Sequence, residues 1–234
     1  AITSIGYDHM VTLGSTLPEI AWHKAGIIKA GCIALTGVTD PDALHPIRDE
    51  ARRQGVPLIH VELGSSWRDV RVDPAGTSFT DVPSGDCLHL PLPGDFQAAN
   101  AALAVAVARA FAPLAVTDAV VSNGLAHVRF PGRLEQVQAT PLVMLDGAHN
   151  PDKIQSLFHS LRLLFAEKRI IAVVGVLESK SHQEMLALLA PHVGALITTA
   201  PRVLAKPPVS AEDLAAEARP LVASVRAVAH PLDA

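Results

Sequence analysis

Leu145-Asp146-Gly147-Ala148-His149-Asn150-Pro151 gathers an acid, an imidazole and an amide into one short turn. The apolar run 141–145 before it reads as a buried strand. Pro151 falls where a helix would begin, because a first helical turn leaves its N–H groups unpaired anyway. Ligands of α/β folds bind at the carboxyl ends of strands, and a helix N-terminus offers N–H groups to anions. Asp146 and His149 are therefore candidates to project into such a crevice. Gly147 and Ala148 are small enough to let a ligand approach the backbone. The plainer alternatives are that Asp146 caps the following helix and that His149 hydrogen-bonds its own loop.

Two further segments carry reactive groups. Tyr7-Asp8-His9 follows an apolar opening stretch, so His9 is either a loop histidine or a metal ligand. Lys24 stands between Trp22 and Ile27 in Trp22-His23-Lys24-Ala25-Gly26-Ile27-Ile28-Lys29. A lysine there either snorkels to water or is chemically special, since a desolvated amine is deprotonated more easily and becomes a nucleophile.

The elements that position these groups alternate between strand and helix. A buried strand is expected at 1–6. Thr16 caps a helix over 17–28, with Pro18 and Glu19 in its first turn. Strands at 32–36 and 57–61 flank a helix at 41–54 that Asp40 caps. Between 67 and 92 apolar residues alternate with polar ones around Gly76 and Gly85, the pattern of short antiparallel strands. Asp95 is placed to cap an apolar helix over 96–111, and a further helix covers 117–126. Phe130-Pro131-Gly132-Arg133 reads as a joint. Beyond it come strands at 142–145, 170–176, 195–199 and 224–228, with helices at 154–165, 183–189 and 211–219. This restart predicts a second, parallel-sheet domain, with the boundary between 131 and 132.

Composition narrows the class. With 49% hydrophobic residues in 234, the chain can bury a substantial core, which at 4% aromatics is mainly aliphatic. A net charge of −4 argues against a general nucleic-acid binder. Cys32 and Cys87 are far apart and form no metal-binding pair, which suits a reducing, cytoplasmic setting. No signal peptide or membrane-spanning stretch is visible. The abrupt start and finish suggest a piece of a longer protein.

Several segments together carry a resemblance. They are Ile2-Thr3-Ser4-Ile5-Gly6, Asp8-His9, Leu13-Gly14, Thr16, Ile20-Ala21 and Lys24-Ala25-Gly26-Ile27. Leu92-Pro93-Gly94, Gln97, Asn100, Phe130-Pro131-Gly132-Arg133-Leu134-Glu135 and Asp146-Gly147-Ala148-His149-Asn150-Pro151 follow in order. This series resembles folylpolyglutamate synthase/dihydrofolate synthase, the folate branch of the Mur ligases, over almost the whole length. Any one motif is weak or moderate; four in order are strong. The resemblance implies an α/β fold: part of a central ATPase domain followed by a Rossmann-like ligase domain with a mostly parallel sheet. It also implies ATP-driven amide ligation, in which ATP phosphorylates a folate or dihydropteroate carboxylate and the amine of L-glutamate displaces phosphate. Mg²⁺ would accompany ATP, and the whole enzyme would be a cytoplasmic monomer engaging neither nucleic acid nor membrane.

Roles carry over by motif. The resemblance makes His9 a magnesium ligand and Lys24 a lysine that becomes a carbamate, whose oxygens suit Mg²⁺. Asn100, with Gln97 beside it, contacts the adenine end of ATP. Arg133 reaches the phosphates, Asp146 contacts the nucleotide, and His149 lies near the transferred phosphate. Without the family order the plainer readings prevail: Asn100 as a buried helix amide, Gln97 as an exposed one, and Arg133 as a surface salt-bridge residue.

The chain also departs from the family pattern. His23 and Phe96 stand where glutamate and histidine are common, Ser179-Lys180-Ser181 stands for Asp-Lys-Asp, and Lys206 replaces a frequent arginine. There is no Gly-Lys pair, hence no phosphate-cradling G-x-x-x-x-G-K-[ST] loop, and a final Gly-Ser strand is missing. These 234 residues are therefore expected not to turn over ATP alone. The competing readings are a non-catalytic nucleotide-binding remnant and a cell-wall peptide ligase.

Overall fold

The computed structural model describes residues 1–7 and 10–233, and its chain divides into two compact units, Ala1–Asp146 and Gly147–Ala234. The first unit opens with α1 (Met10–Leu13) and α2 (Leu17–Ala25). A reciprocal cap starts α2. Thr16 Oγ1 accepts the Glu19 N–H at 3.4 Å, and Glu19 Oε2 accepts the N–H groups of Ser15 and Thr16 at 2.8 and 3.1 Å. The backbone N–H of Ser15, above all, holds the Glu19 carboxyl below its ordinary pKa.

Strand β1 (Ala34–Thr36), helix α3 (Pro41–Gln54) and parallel strand β2 (Leu58–His60) follow. Asp40 Oδ1 caps α3 through the Ala43 N–H at 3.0 Å. The expected opening strand shrinks to one residue: Ile2 bridges Thr36 in parallel, donating to Leu35 O and accepting from Gly37 N. Thr3 and Ser4 beyond it are exposed and bury no side chain that would hold a longer strand. Ala21 and Ala25 of α2 and Ala43 and Ile47 of α3 are all fully buried in one cluster, the small residues allowing the helices to pack closely.

The predicted antiparallel sheet is present as β3 (Trp67–Asp73), β4 (Gly76–Asp81) and β5 (Cys87–Leu90), in that order. Phe79, Leu88 and Leu90 bury one face against Ala98, Ala101 and Ala102 of α4 (Phe96–Phe111). Asp95 does not cap α4: its own backbone is already helical, with φ −61° and ψ −35°, and its side chain makes no capping bond. Helix α5 (Asp118–Ala126) starts instead on a working cap, Thr117 Oγ1 accepting the Val120 N–H.

The unit ends in an antiparallel pair, β6 (Glu135–Gln138) and β7 (Val143–Leu145). The run at 141–145 was expected to be a buried strand of the second domain's parallel sheet. It is neither. β7 pairs with β6, and Leu142, Val143 and Leu145 are 39%, 37% and 50% exposed. A two-stranded ribbon has no inner position, so apolar character alone did not bury it.

The second unit alternates α6 (Pro151–Phe165), β8 (Ile171–Val174), α7 (His182–Leu189), β9 (Ala195–Thr198), α8 (Ala211–Ala218) and β10 (Val225–Ala227). Its sheet is parallel, in the order β10-β9-β8. Ile154 and Phe158 of α6, Met185, Leu186 and Leu189 of α7, Leu196 of β9 and Leu214 of α8 form its core. Ile171 and Val173 on the other face of β8 are exposed.

Candidate functional site

The joint at 130–135 is built by bonds that sequence periodicity does not display. Gly132 turns at φ +70° and gives its N–H to Glu135 Oε2 at 2.8 Å. Arg133 donates from Nη1 to Gly132 O at 3.1 Å, and its guanidinium carbon lies 5.2 Å from the Phe130 ring centroid, within cation–π range. Leu134 then takes φ +45°, the left-handed region that a leucine rarely visits. Such a residue costs about 1–3 kcal/mol.

Two contacts offset that cost. The Leu134 N–H donates to Asp146 Oδ2 at 2.9 Å, and a hydrogen bond to a charged group contributes about 1.5–3 kcal/mol. The Leu134 side chain is also fully buried, worth about 1.5–3 kcal/mol for an aliphatic chain of this size. Leu134 packs over Gly94, where a Cβ would stand 3.3 Å from Leu134 Cδ1 and 2.8 Å from Phe96 Cε1. Gly94, at φ +123°, is thus required both for its backbone angle and for space. Its carbonyl and that of Leu92 share the Thr77 hydroxyl, at 2.9 and 2.8 Å.

This construction relates several predicted residues within the first unit. Asp146 and Arg133 are tied through the intervening Leu134 N–H. Gln97 lies one turn into α4 from Gly94, whose carbonyl accepts the Gln97 N–H. Asn100 Nδ2 donates to Gln97 Oε1 at 3.3 Å. Gln97 is the buried amide and Asn100 the exposed one, the reverse of the plain helix-amide alternative. Asn100 thus presents its side chain at the surface while Gln97 orients it from beneath.

Lys24 stands apart, on a helix that packs against α3 and α1 rather than on the α4 core. It is half-buried, one turn after Ile20 and Ala21 of the buried stripe, on a helix that ends at Ala25 with Gly26 as its C-cap rather than running to residue 28 as expected. Trp22 and Ile27 are 64% and 66% exposed, so the apolar residues beside Lys24 in sequence do not enclose it. His9 lies outside the described residues. Among the described residues no group of three or more His, Cys, Asp or Glu side chains is assembled to hold a metal.

The second unit carries His149 at the start of α6. Asn150, not Asp146, caps this helix, Oδ1 accepting the Lys153 N–H at 2.9 Å. His149 Nδ1 lies 2.8 Å from Gly147 O, and Lys153 Nζ lies 3.1 Å from His149 Nε2. The histidine does bond its own loop, as the plainer reading held, and in addition meets a lysine that sequence reasoning overlooked. The readable signal was the four-residue spacing of His149 and Lys153 across a helix start.

Residues 132–234 match the family model described as Mur ligase, glutamate ligase domain. A dihydrofolate synthase/folylpolyglutamate synthase of Bacillus subtilis is 39% identical over 194 residues, covering 80% of this chain and 45% of the relative. Over four-fifths of its length the chain is thus similar to the folylpolyglutamate synthase/dihydrofolate synthase branch of the Mur ligases. The folylpolyglutamate synthase of Lacticaseibacillus casei is 35% identical over 79% of this chain and 44% of its own length. The solved folylpolyglutamate synthase of Mycobacterium tuberculosis complexed with ADP superposes with a TM-score of 0.85 at 28% identity, over 98% of this chain and 53% of that one. A complex of such a synthase with AMPPCP and folate gives 0.77 at 30% identity, over 97% and 57%. The chain spans about half the length of the curated relatives it matches. The family match begins at Gly132, whereas the spatial division falls after Asp146; the hairpin β6–β7 makes the difference, because Asp146 is bonded back to Leu134.

Proposed function

We propose that this chain forms part of an ATP-dependent ligase that joins L-glutamate to the carboxylate of a folate or dihydropteroate through an acyl phosphate. The observation that carries the reading is the Leu134–Asp146 bond, which sets Arg133 and Asp146 around one buried residue. In this reading residues 1–131 belong to the ATP-binding central domain and 132–234 to the glutamate ligase domain. Asn100, oriented by Gln97, meets the adenine. Arg133 leaves the Phe130 ring and the Gly132 carbonyl for the phosphates, and Asp146 contacts the nucleotide while holding the joint. Positioned charge of this kind is the main resource of phosphoryl transfer, where the protein does little covalent chemistry. A place in a reducing, cytoplasmic compartment accords with Cys32 and Cys87 both being free thiols.

Mg²⁺ enters this reading only through the chemistry of its donors. A lysine ammonium has no lone pair for a metal. When the neutral Lys24 amine bonds the carbon of CO₂ and a proton leaves, the carbamate offers oxygens, the donors Mg²⁺ prefers. Lys24 is half-buried on α2 and so open to CO₂ from one side. Lys24 as its carbamate and His9 would hold the ion, which would supply neutralisation of phosphate charge.

Calorimetry with ADP tests the reading on these 234 residues. Binding is expected, together with its loss in Asp146→Ala and marked weakening in Asn100→Ala. Saturation that neither substitution alters would sink the assignment. ATP hydrolysis by the same chain is expected to be absent, since it has no G-x-x-x-x-G-K loop. In the complete enzyme, glutamate transfer to dihydropteroate but not to a muramyl acceptor separates the folate branch from the cell-wall ligases.

A further inference from the structure

The contact between Lys153 and His149 fixes more than a distance. Gly147 O can only accept, so His149 Nδ1 carries the proton in their 2.8 Å contact. The lysine ammonium can only donate, so Nε2 offers its lone pair to Lys153 Nζ at 3.1 Å. The two neighbours demand the same tautomer, Nδ1–H with a bare Nε2. The geometry is local at both ends. Gly147 is two residues before the ring. Lys153 is four after it, on a helix turn whose backbone N–H is itself held by Asn150 Oδ1 at 2.9 Å.

We infer that Lys153 is a positioning residue for His149, holding its imidazole in the Nδ1–H tautomer with Nε2 as an acceptor. This rests on the ligase reading for its relevance to catalysis and deepens the place near the transferred phosphate that the sequence resemblance implies for His149. A phosphoryl oxygen is an anion and accepts hydrogen bonds only. In this tautomer His149 Nε2 has no proton to give it; the Lys153 ammonium does. When the ammonium swings from Nε2 toward that negative charge, the single lone pair it had engaged becomes the one an attacking amine needs. As the amine nitrogen bonds the acyl carbon and the acyl carbon–oxygen bond to phosphate breaks, a proton leaves that nitrogen, and Nε2 is the form of the ring able to take it. Lys153 and His149 therefore divide the work, the ammonium facing negative charge and the ring accepting a proton. That division follows from which nitrogen each neighbour occupies.

Nitrogen-15 spectra of the 234-residue chain labelled at histidine, with the His149 signals assigned through His149→Gln, test the inference. The unsubstituted chain is expected to show a protonated Nδ1 and a hydrogen-bonded, unprotonated Nε2. In Lys153→Met the ratio of the two tautomers should shift toward Nε2–H by about tenfold or more, as for loss of a hydrogen bond to a charged group. Lys153→Arg should restore the original pattern, while thermal midpoints of all three stay alike. A protonated Nε2 in the unsubstituted chain overturns the inference. So does a Lys153→Met spectrum unchanged from the original, since the Gly147 carbonyl would then set the tautomer alone. ADP calorimetry on the same samples reports separately on the ligase reading: absence of ADP binding counts against that reading and leaves the ring-nitrogen result standing.

Discussion

The two units differ in how the polar groups around their candidate residues are bonded, although the second also has long-range bonds elsewhere, from Thr198 Oγ1 to Ala211 O and between His182 and Glu217. In the first, buried polarity is wired across sequence. Asp81, 3% exposed, accepts from Arg109 Nη1 at 2.9 Å and from Ser84, and Arg109 reaches on to Asp118 at 2.8 Å. Asp146 bonds back twelve residues to Leu134, and Thr77 bonds the Leu92 and Gly94 carbonyls. In the second, the candidate groups are bonded to near neighbours: His149 to Gly147 and Lys153, and Asn150 to Lys153. Its core is almost wholly aliphatic, and the buried Thr199 hydroxyl has no hydrogen-bond partner among the described residues. The site of the first unit is therefore coupled to its global stability, whereas that of the second is set by a few local bonds and can change without unfolding the unit.

Substitutions can break or sharpen this contrast. Arg109→Ala should have the largest effect. It leaves the Asp81 carboxylate buried without its cation, a change that costs about 3–5 kcal/mol. The urea midpoint of the first unit should fall while that of the second stays put; joint loss in both would abolish the contrast. Asp146→Ala comes next, with about 2–3 kcal/mol expected from a lost charged bond to a strained backbone. Asp146→Asn, which still offers an acceptor oxygen, should recover much of that stability but not ADP binding, separating the structural from the ligand role by denaturation and calorimetry. Asn150→Ala in the second unit should remove only a helix cap, about 1 kcal/mol, read as faster hydrogen exchange confined to the first turn of α6.

The smallest effect belongs to His192, stacked on Phe158 with ring centroids 5.0 Å apart. Burial first, and the Arg162 cation second, hold its pKa below the ordinary histidine value. The folded state thus disfavours protonation. Its contribution is complete above the ordinary histidine range and is lost as pH falls through that range toward the lowered folded value. Urea midpoints of the second unit should decline between about pH 8 and pH 5, and His192→Gln should flatten that decline.

Helix starts were largely legible before any coordinates. Thr16, Asp40, Thr117 and Pro151 mark beginnings because a cap acts within three or four residues of itself. Asp95 shows the limit. It has the right residue type and position, yet its backbone had already turned helical, which removes the geometry a capping side chain needs. Strand burial was less legible. The run at 141–145 is apolar, but which strand it meets, and whether anything covers it, depends on partners far away in the chain. The left-handed Leu134 escaped notice for the same reason, since its compensation comes from Asp146.

The chain's own letters determined the ordered motifs, and with them the family resemblance, because spacing between reactive residues is a property of the polymer alone. They also determined most of the helix starts. The tertiary structure decided that Gln97 is buried and Asn100 exposed, that Asp146 braces Leu134, and that Lys153 faces the second nitrogen of His149. Each of those depends on where side chains meet once backbone angles are fixed, and a sequence does not state its angles.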